Sequence, residues 1–84
     1  MTTLEAALIK EQGVTFAVVS VRDSVIDNSN EAQRMAHAMS LRFRCPTVLI
    51  GAQRHRLYGR RDLVAFLSHV HISQLPWKRW DVAA

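Results

Sequence analysis

The stretch Val14-Thr15-Phe16-Ala17-Val18-Val19-Ser20-Val21 decides the fold. Its β-branched and aromatic residues favour extended backbone, and its nearly continuous apolar character is that of a strand covered on both faces. It is therefore expected at the centre of a sheet. Upstream, Thr2 and Glu5 have the spacing of a capping box, Leu4, Ala7 and Leu8 recur on one helical face, and Gly13 supplies a stop. This predicts a short first helix.

Downstream, Arg22 to Asn30 is rich in Asp, Asn and Ser and reads as the longest loop, with Val25 and Ile26 folding back onto the core. Asn28 and Glu31 then have N-cap spacing, and Ala32, Met35, Ala36, Met39 and Phe43 form an apolar stripe, so a second helix follows. Cys45-Pro46 ends it, because proline disfavours helical backbone in the residue before it. Thr47 to Ile50 is the next strand, and Gly51-Ala52-Gln53 connects it as a hairpin to Arg54-His55-Arg56-Leu57-Tyr58, a charged edge strand. After Gly59, a third helix is predicted from Arg61 to about Val70, with Leu63, Val64, Phe66, Leu67 and Val70 inward and Asp62 near its positive end. The fold class is thus α/β, in the order α-β-α-β-β-α. The sheet is mixed: the first two strands are parallel through a right-handed crossover, and the last two form a hairpin.

With 84 residues the chain is expected to be one domain over 1–84, with a core at about 3–70 and a tail at 71–84 that carries Pro76, Trp77 and Trp80. A single cysteine excludes an internal disulfide, so self-association into a homodimer is one way to stabilise so small a core. The charged fraction of 21% is too low for disorder. No apolar run reaches the roughly 18 to 20 residues of a bilayer span, and Met1-Thr2-Thr3-Leu4-Glu5 lacks a signal-peptide pattern. A cytoplasmic location without membrane contact is the expectation.

Charge is unevenly placed. Up to Leu41, Lys10, Arg22 and Arg34 face Glu5, Glu11, Asp23, Asp27 and Glu31, a balance of −2, whereas the remainder has a balance of +6. The second half is therefore either a solvated basic face or an anion-binding surface. Its candidates are Arg42, Arg44, Arg54, Arg56, Arg60 and Arg61. Arg42 and Arg44 alternate around Phe43, and Arg54 and Arg56 around His55, so each pair shares a face where the chain is extended. Nucleic acid is a possible partner, although the clustered stacking aromatics of a single-strand reader are missing.

The segments Arg44-Cys45-Pro46-Thr47-Val48-Leu49-Ile50, Leu57-Tyr58-Gly59-Arg60 and Asp62-Leu63-Val64-Ala65-Phe66-Leu67 resemble the C-terminal half of the thioredoxin and glutaredoxin-like family. The resemblance runs from about Val14 to Val70. It implies a cis peptide at Pro46 beside a functional surface. The family's first strand lies between the two strands that flank the crossover helix, and no residues here supply it, so either the sheet is rearranged or a second chain fills the gap. The family's Cys-x-x-Cys is absent, so dithiol exchange within one chain is excluded.

Cys45 is the sole thiol. Arg42 and Arg44 would favour its thiolate and a helix end would disfavour it, so it is either a structural cysteine or a monothiol redox group. His37, His55, His69 and His71 show no zinc-ligand spacing, and no metal or other cofactor is expected. Asp23 and Asp27, four apart, read as loop carboxylates engaged in local hydrogen bonds. No nucleophile elbow or phosphate-binding glycine loop occurs. Trp77 and Trp80 either dock on the domain's own sheet or anchor a partner, and a helical turn would put them on one side. The expectation is a non-catalytic, thioredoxin-like domain that binds a protein partner through Cys45, Pro46, Trp77 and Trp80. Its alternatives are a Cys45 redox protein and a small basic nucleic-acid binder.

Overall fold

A computed structural model of the chain describes residues 2–11 and 13–82, and within it the apolar run at 14–21 is the middle strand of a five-stranded mixed sheet. In chain order the elements are β1 (Thr2–Glu11), β2 (Val14–Val21), α1 (Asp23–Asp27), α2 (Ser29–Phe43), β3 (Thr47–Gly51), β4 (Leu57–Tyr58), α3 (Arg61–Leu67), a 3-10 turn (Ile72–Gln74) and β5 (Trp77–Val82). The sheet order is β4-β3-β2-β1-β5. Strands β2 and β3 are parallel, and every other pairing is antiparallel.

Why β2 is apolar throughout follows from its position. One face contributes Val19 and Val21 to a cluster with Ile26, Ala32, Met39 and Leu49 under α1 and α2. The other contributes Phe16 and Val18 to a cluster with Val48, Ile50, Leu63 and Leu67 under α3. Phe16 meets Phe66 edge to face, with ring centroids 6.2 Å apart. Both clusters are needed to cover the sheet.

The second helix forms as its cap and stripe dictate. The Asn28 side chain accepts hydrogen bonds from the backbone N–H groups of Asn30 and Glu31, at 3.1 and 3.2 Å. At the other end Arg44 adopts the left-handed conformation (φ 57°) and the Cys45 N–H donates to Ser40 O, which closes the last turn ahead of Pro46. Val25 and Ile26 do return to the core, but on the short helix α1 rather than in a loop. The hairpin after β3 is present, with its second strand confined to Leu57–Tyr58. Helix α3 stops at Leu67, earlier than Val70.

Two expectations fail at the ends of the chain. The predicted first helix is strand β1, because Gly13 (φ 79°) turns the chain back and main-chain pairing with β2 outweighs the helical spacing of Leu4, Ala7 and Leu8. The expected tail at 71–84 instead contributes the 3-10 turn and β5, which pairs with β1 from Thr2↔Val82 to Ala7↔Trp77. In a strand, residues three apart point to opposite faces, so Trp77 and Trp80 do not share a side. Positions 83–84 lie outside the described residues.

The details implied by the family resemblance also differ. No cis peptide bond occurs among the described residues, so the bond before Pro46 is trans. Among the described residues no strand lies between β2 and β3, which pair directly from Ala17↔Thr47 to Val21↔Gly51, so of the two alternatives it is the sheet that is rearranged. With β1 on its other side from Glu11↔Val14 to Ala6↔Val19, β2 is paired along both edges over most of its length.

Candidate functional site

Strands β1 and β2 part before they end. Their ladder runs from Glu11↔Val14 only as far as Ala6↔Val19. Beyond that point β1 continues to Thr2 along β5, and β2 continues to Val21 along β3. The sheet therefore forks, with Thr3-Leu4-Glu5 on one arm and Ser20-Val21-Arg22 on the other. A crevice of about 730 Å³ occupies the fork and is lined by these six residues. That volume falls within the roughly 300–1,000 Å³ of typical ligand sites. It also lies at the carboxyl ends of the parallel strands β2 and β3, where open α/β sheets commonly bind ligands.

Each part of the crevice follows from a local feature. Val25 on α1 and Met35 on α2 supply an apolar wall, since both pack against the core cluster below those helices. Glu31 reaches the rim from the first turn of α2, and Arg79 reaches it from β5, opposite Glu5 in the ladder. On the α3 side, a smaller depression of about 220 Å³ continues from Glu5 and Ser20 towards His55, Ser73 and Trp77. Among the described residues, Glu5, Glu31, Arg22 and Arg79 make no ion pair. Two carboxylates and two guanidinium groups thus surround a cleft uncommitted. Main-chain groups facing the fork lack a strand partner and must be satisfied by water or by a ligand.

Comparisons with protein-family models, with curated proteins and with solved structures found no match.

The residues singled out by sequence do not gather at one place. Arg54 and Arg56 flank the exit from β3 and are bound by α1. Asp27 accepts from Arg54 Nη2 at 2.6 Å and from Arg56 Nη1 at 2.5 Å, and Asp23 lies 3.6 Å from Arg54 Nε. Asp23 Oδ1 also accepts from the backbone N–H groups of Gln53 and Arg54, at 3.4 and 3.3 Å. Asp23 and Asp27, which lie on α1 rather than in a loop, thus clamp the β3–β4 turn onto that helix through Arg54 and Arg56. Arg60 pairs with Asp62 through two hydrogen bonds of 3.2 and 2.8 Å, which hold the Asp62 carboxyl below its usual range. Arg42 lies over the Phe43 ring at 6.0 Å and donates to Asp81 O at 3.4 Å. Arg44 and Arg61 are exposed.

Cys45 and Pro46 lie at the entry to β3, away from the fork at its exit. Pro46 O accepts the Ala17 N–H at 2.9 Å, so this corner belongs to the sheet. Cys45 is half-buried, and burial pushes its thiol pKa up. The neighbouring arginines do not offset that effect. Trp77 and Trp80 are half-buried on opposite faces, and each indole N–H is satisfied internally, by Ile72 O at 2.8 Å and Ala6 O at 3.2 Å. Among the described residues, no three His, Cys, Asp or Glu side chains are grouped to hold a metal ion. No helix among them is long and apolar enough to cross a membrane.

Sequence reasoning missed the fork. Glu5 reads as a helix cap, Glu31 as part of a capping box and Arg22 as a loop residue, and each reading is local. Only the register of β1 against β2 and β5 brings them together.

Proposed function

We propose that this chain is a non-catalytic protein-interaction domain of the cytoplasm, and that it takes an extended segment of a partner protein into the fork between β1 and β2. The carrying observation is that both strands outrun their shared ladder, which stops at Ala6↔Val19. A peptide strand entering there meets main-chain donors and acceptors on both sides, the mode of recognition by strand addition. The mixed charge of Glu5, Glu31, Arg22 and Arg79 suits a peptide, with its own mixture of polar groups, better than a uniformly charged polyanion. The thioredoxin-like order from β2 to α3 is part of this reading at the level of element order. The partner surface is assigned to the fork rather than to Pro46, whose carbonyl is taken by Ala17.

The test is selection of binders from a displayed library of random octapeptides, followed by affinity measurement with the purified chain. Binding is expected to weaken at least tenfold in Arg22→Glu, to be lost when alternate peptide nitrogens are methylated, and to be unchanged in Cys45→Ser. Binders indifferent to both N-methylation and Arg22→Glu would refute the proposal.

A further inference from the structure

Strand β5 ends the sheet, and among the described residues no strand neighbours its outer edge. It is six residues long, against two for β4 at the opposite edge. Long unpaired edges invite pairing with another chain, and side-chain complementarity decides which chain and which register. In β5, Arg79 and Asp81 lie two apart, hence on one face, and both are exposed. Among the described residues neither side chain makes an ion pair. Trp80 sits between them on the other face, its ring fixed edge to face against Phe43 at 5.2 Å.

We infer that a second copy of this chain pairs antiparallel along β5, about a two-fold axis normal to the sheet at Trp80. Such an axis keeps each face of the sheet continuous, so only registers that set one residue opposite itself are available. Centring on Lys78, Arg79 or Asp81 opposes like charges. Centring on Trp80 opposes the two indoles, and it sets Arg79 of each copy against Asp81 of the other. On that face the sequence across the joined sheet becomes Glu5, Arg79, Asp81 and Thr3, because Glu5 faces Arg79 and Thr3 faces Asp81 within each copy. Arg79 then lies between two carboxylates. Where the Asp81 carbonyl meets the new strand, a backbone N–H can replace the long 3.4 Å contact from Arg42. The two sheets join as ten strands and the main-chain edges of both forks stay open, with Arg79 the one residue shared between the fork and the new contact.

The register makes a reciprocal test possible. Sedimentation equilibrium of the wild type should give twice the protomer mass of 9.5 kDa at high micromolar concentration. Arg79→Asp and Asp81→Arg, each checked for folding by circular dichroism, should dissociate at least tenfold more readily. An equimolar mixture of the two should recover the dimer, since both contacts are again of opposite sign. If either variant fails to fold, isotope-filtered NOEs on mixed labelled and unlabelled wild type provide the readout, with contacts expected between Arg79 and Asp81 of different copies. A monomeric wild type, variants that dimerise as well as wild type, a mixture that fails to recover the dimer, or intermolecular NOEs confined to helices would overturn the inference.

Discussion

Gly51 lies so close to the Asp23 carboxylate that a side chain at position 51 would collide with Asp23 Oδ1. That oxygen is not free to retreat. It accepts the N–H groups of Gln53 and Arg54, and the other carboxylate oxygen faces Arg54 Nε. Gly51→Ala is therefore expected to destabilise the fold by about 1.5–3 kcal/mol, the usual cost of disrupting a charge-assisted contact. Urea denaturation measures it. In an Asp23→Ala background the same substitution should cost much less, and equal costs in both backgrounds would show that the carboxylate is not the obstacle.

Trp80 ties β5 to the end of α2. Its ring meets Phe43 at an interplanar angle of 88°, and its N–H reaches back to Ala6 O. Trp80→Ala should cost about 2–3 kcal/mol, less than the roughly 3–5 of a fully buried aromatic because Trp80 is only partly buried. Trp80→Phe should recover most of it. Thermal unfolding followed by far-ultraviolet circular dichroism distinguishes the two.

Cys45 is expected to be a slow nucleophile. Burial favours the neutral thiol, so its pKa lies above the ordinary value and the thiolate fraction at neutral pH is smaller than in an unfolded chain. Alkylation by iodoacetamide should be slower in the folded protein, and its rate should keep rising through the alkaline range where a free cysteine has levelled off. A plateau near neutral pH would mark an activated thiol instead. Cys45→Ser should leave folding within about 1 kcal/mol of wild type.

Asp27 governs what Arg54 and Arg56 can do. By holding both Arg54 and Arg56 it cancels much of their pull on anions. Asp27→Asn should release the pair, raise the salt needed to elute the protein from heparin, and steepen the salt dependence of polyanion binding by up to about two phosphate equivalents. Arg54→Ala and Arg56→Ala should weaken polyanion binding further in that background than in the wild type. Unchanged elution for Asp27→Asn would mean that the ion pairs do not restrain the arginines in solution.

Central elements of this fold were legible because their determinants are local. The β-branched run at 14–21, the Asn28 cap with the Met35–Met39 stripe, and the Gly51 turn each specify their own conformation within a few residues. The ends were not legible for the opposite reason. The spacing of Leu4, Ala7 and Leu8 fits a helix, and the strand it forms instead is decided by pairing with β2 and with residues about seventy to eighty positions away. The sequence marks Trp77 and Trp80 as anchors either to their own sheet or to a partner, and their faces depend on that same distant pairing. The fork is a difference between two ladder lengths, a property of register that no single segment encodes.

Amide hydrogen exchange resolved by NMR probes the fork residue by residue. In the free protein, the fork-facing amides among Thr3–Glu5 and Ser20–Arg22 should exchange quickly, while those of the shared ladder from Ala6 and Val19 onward are protected. Addition of a selected octapeptide should protect the same fork amides and leave those around Cys45 and Pro46 unchanged. Fork amides already protected in the free chain, or still unprotected when the peptide is bound, would contradict the account.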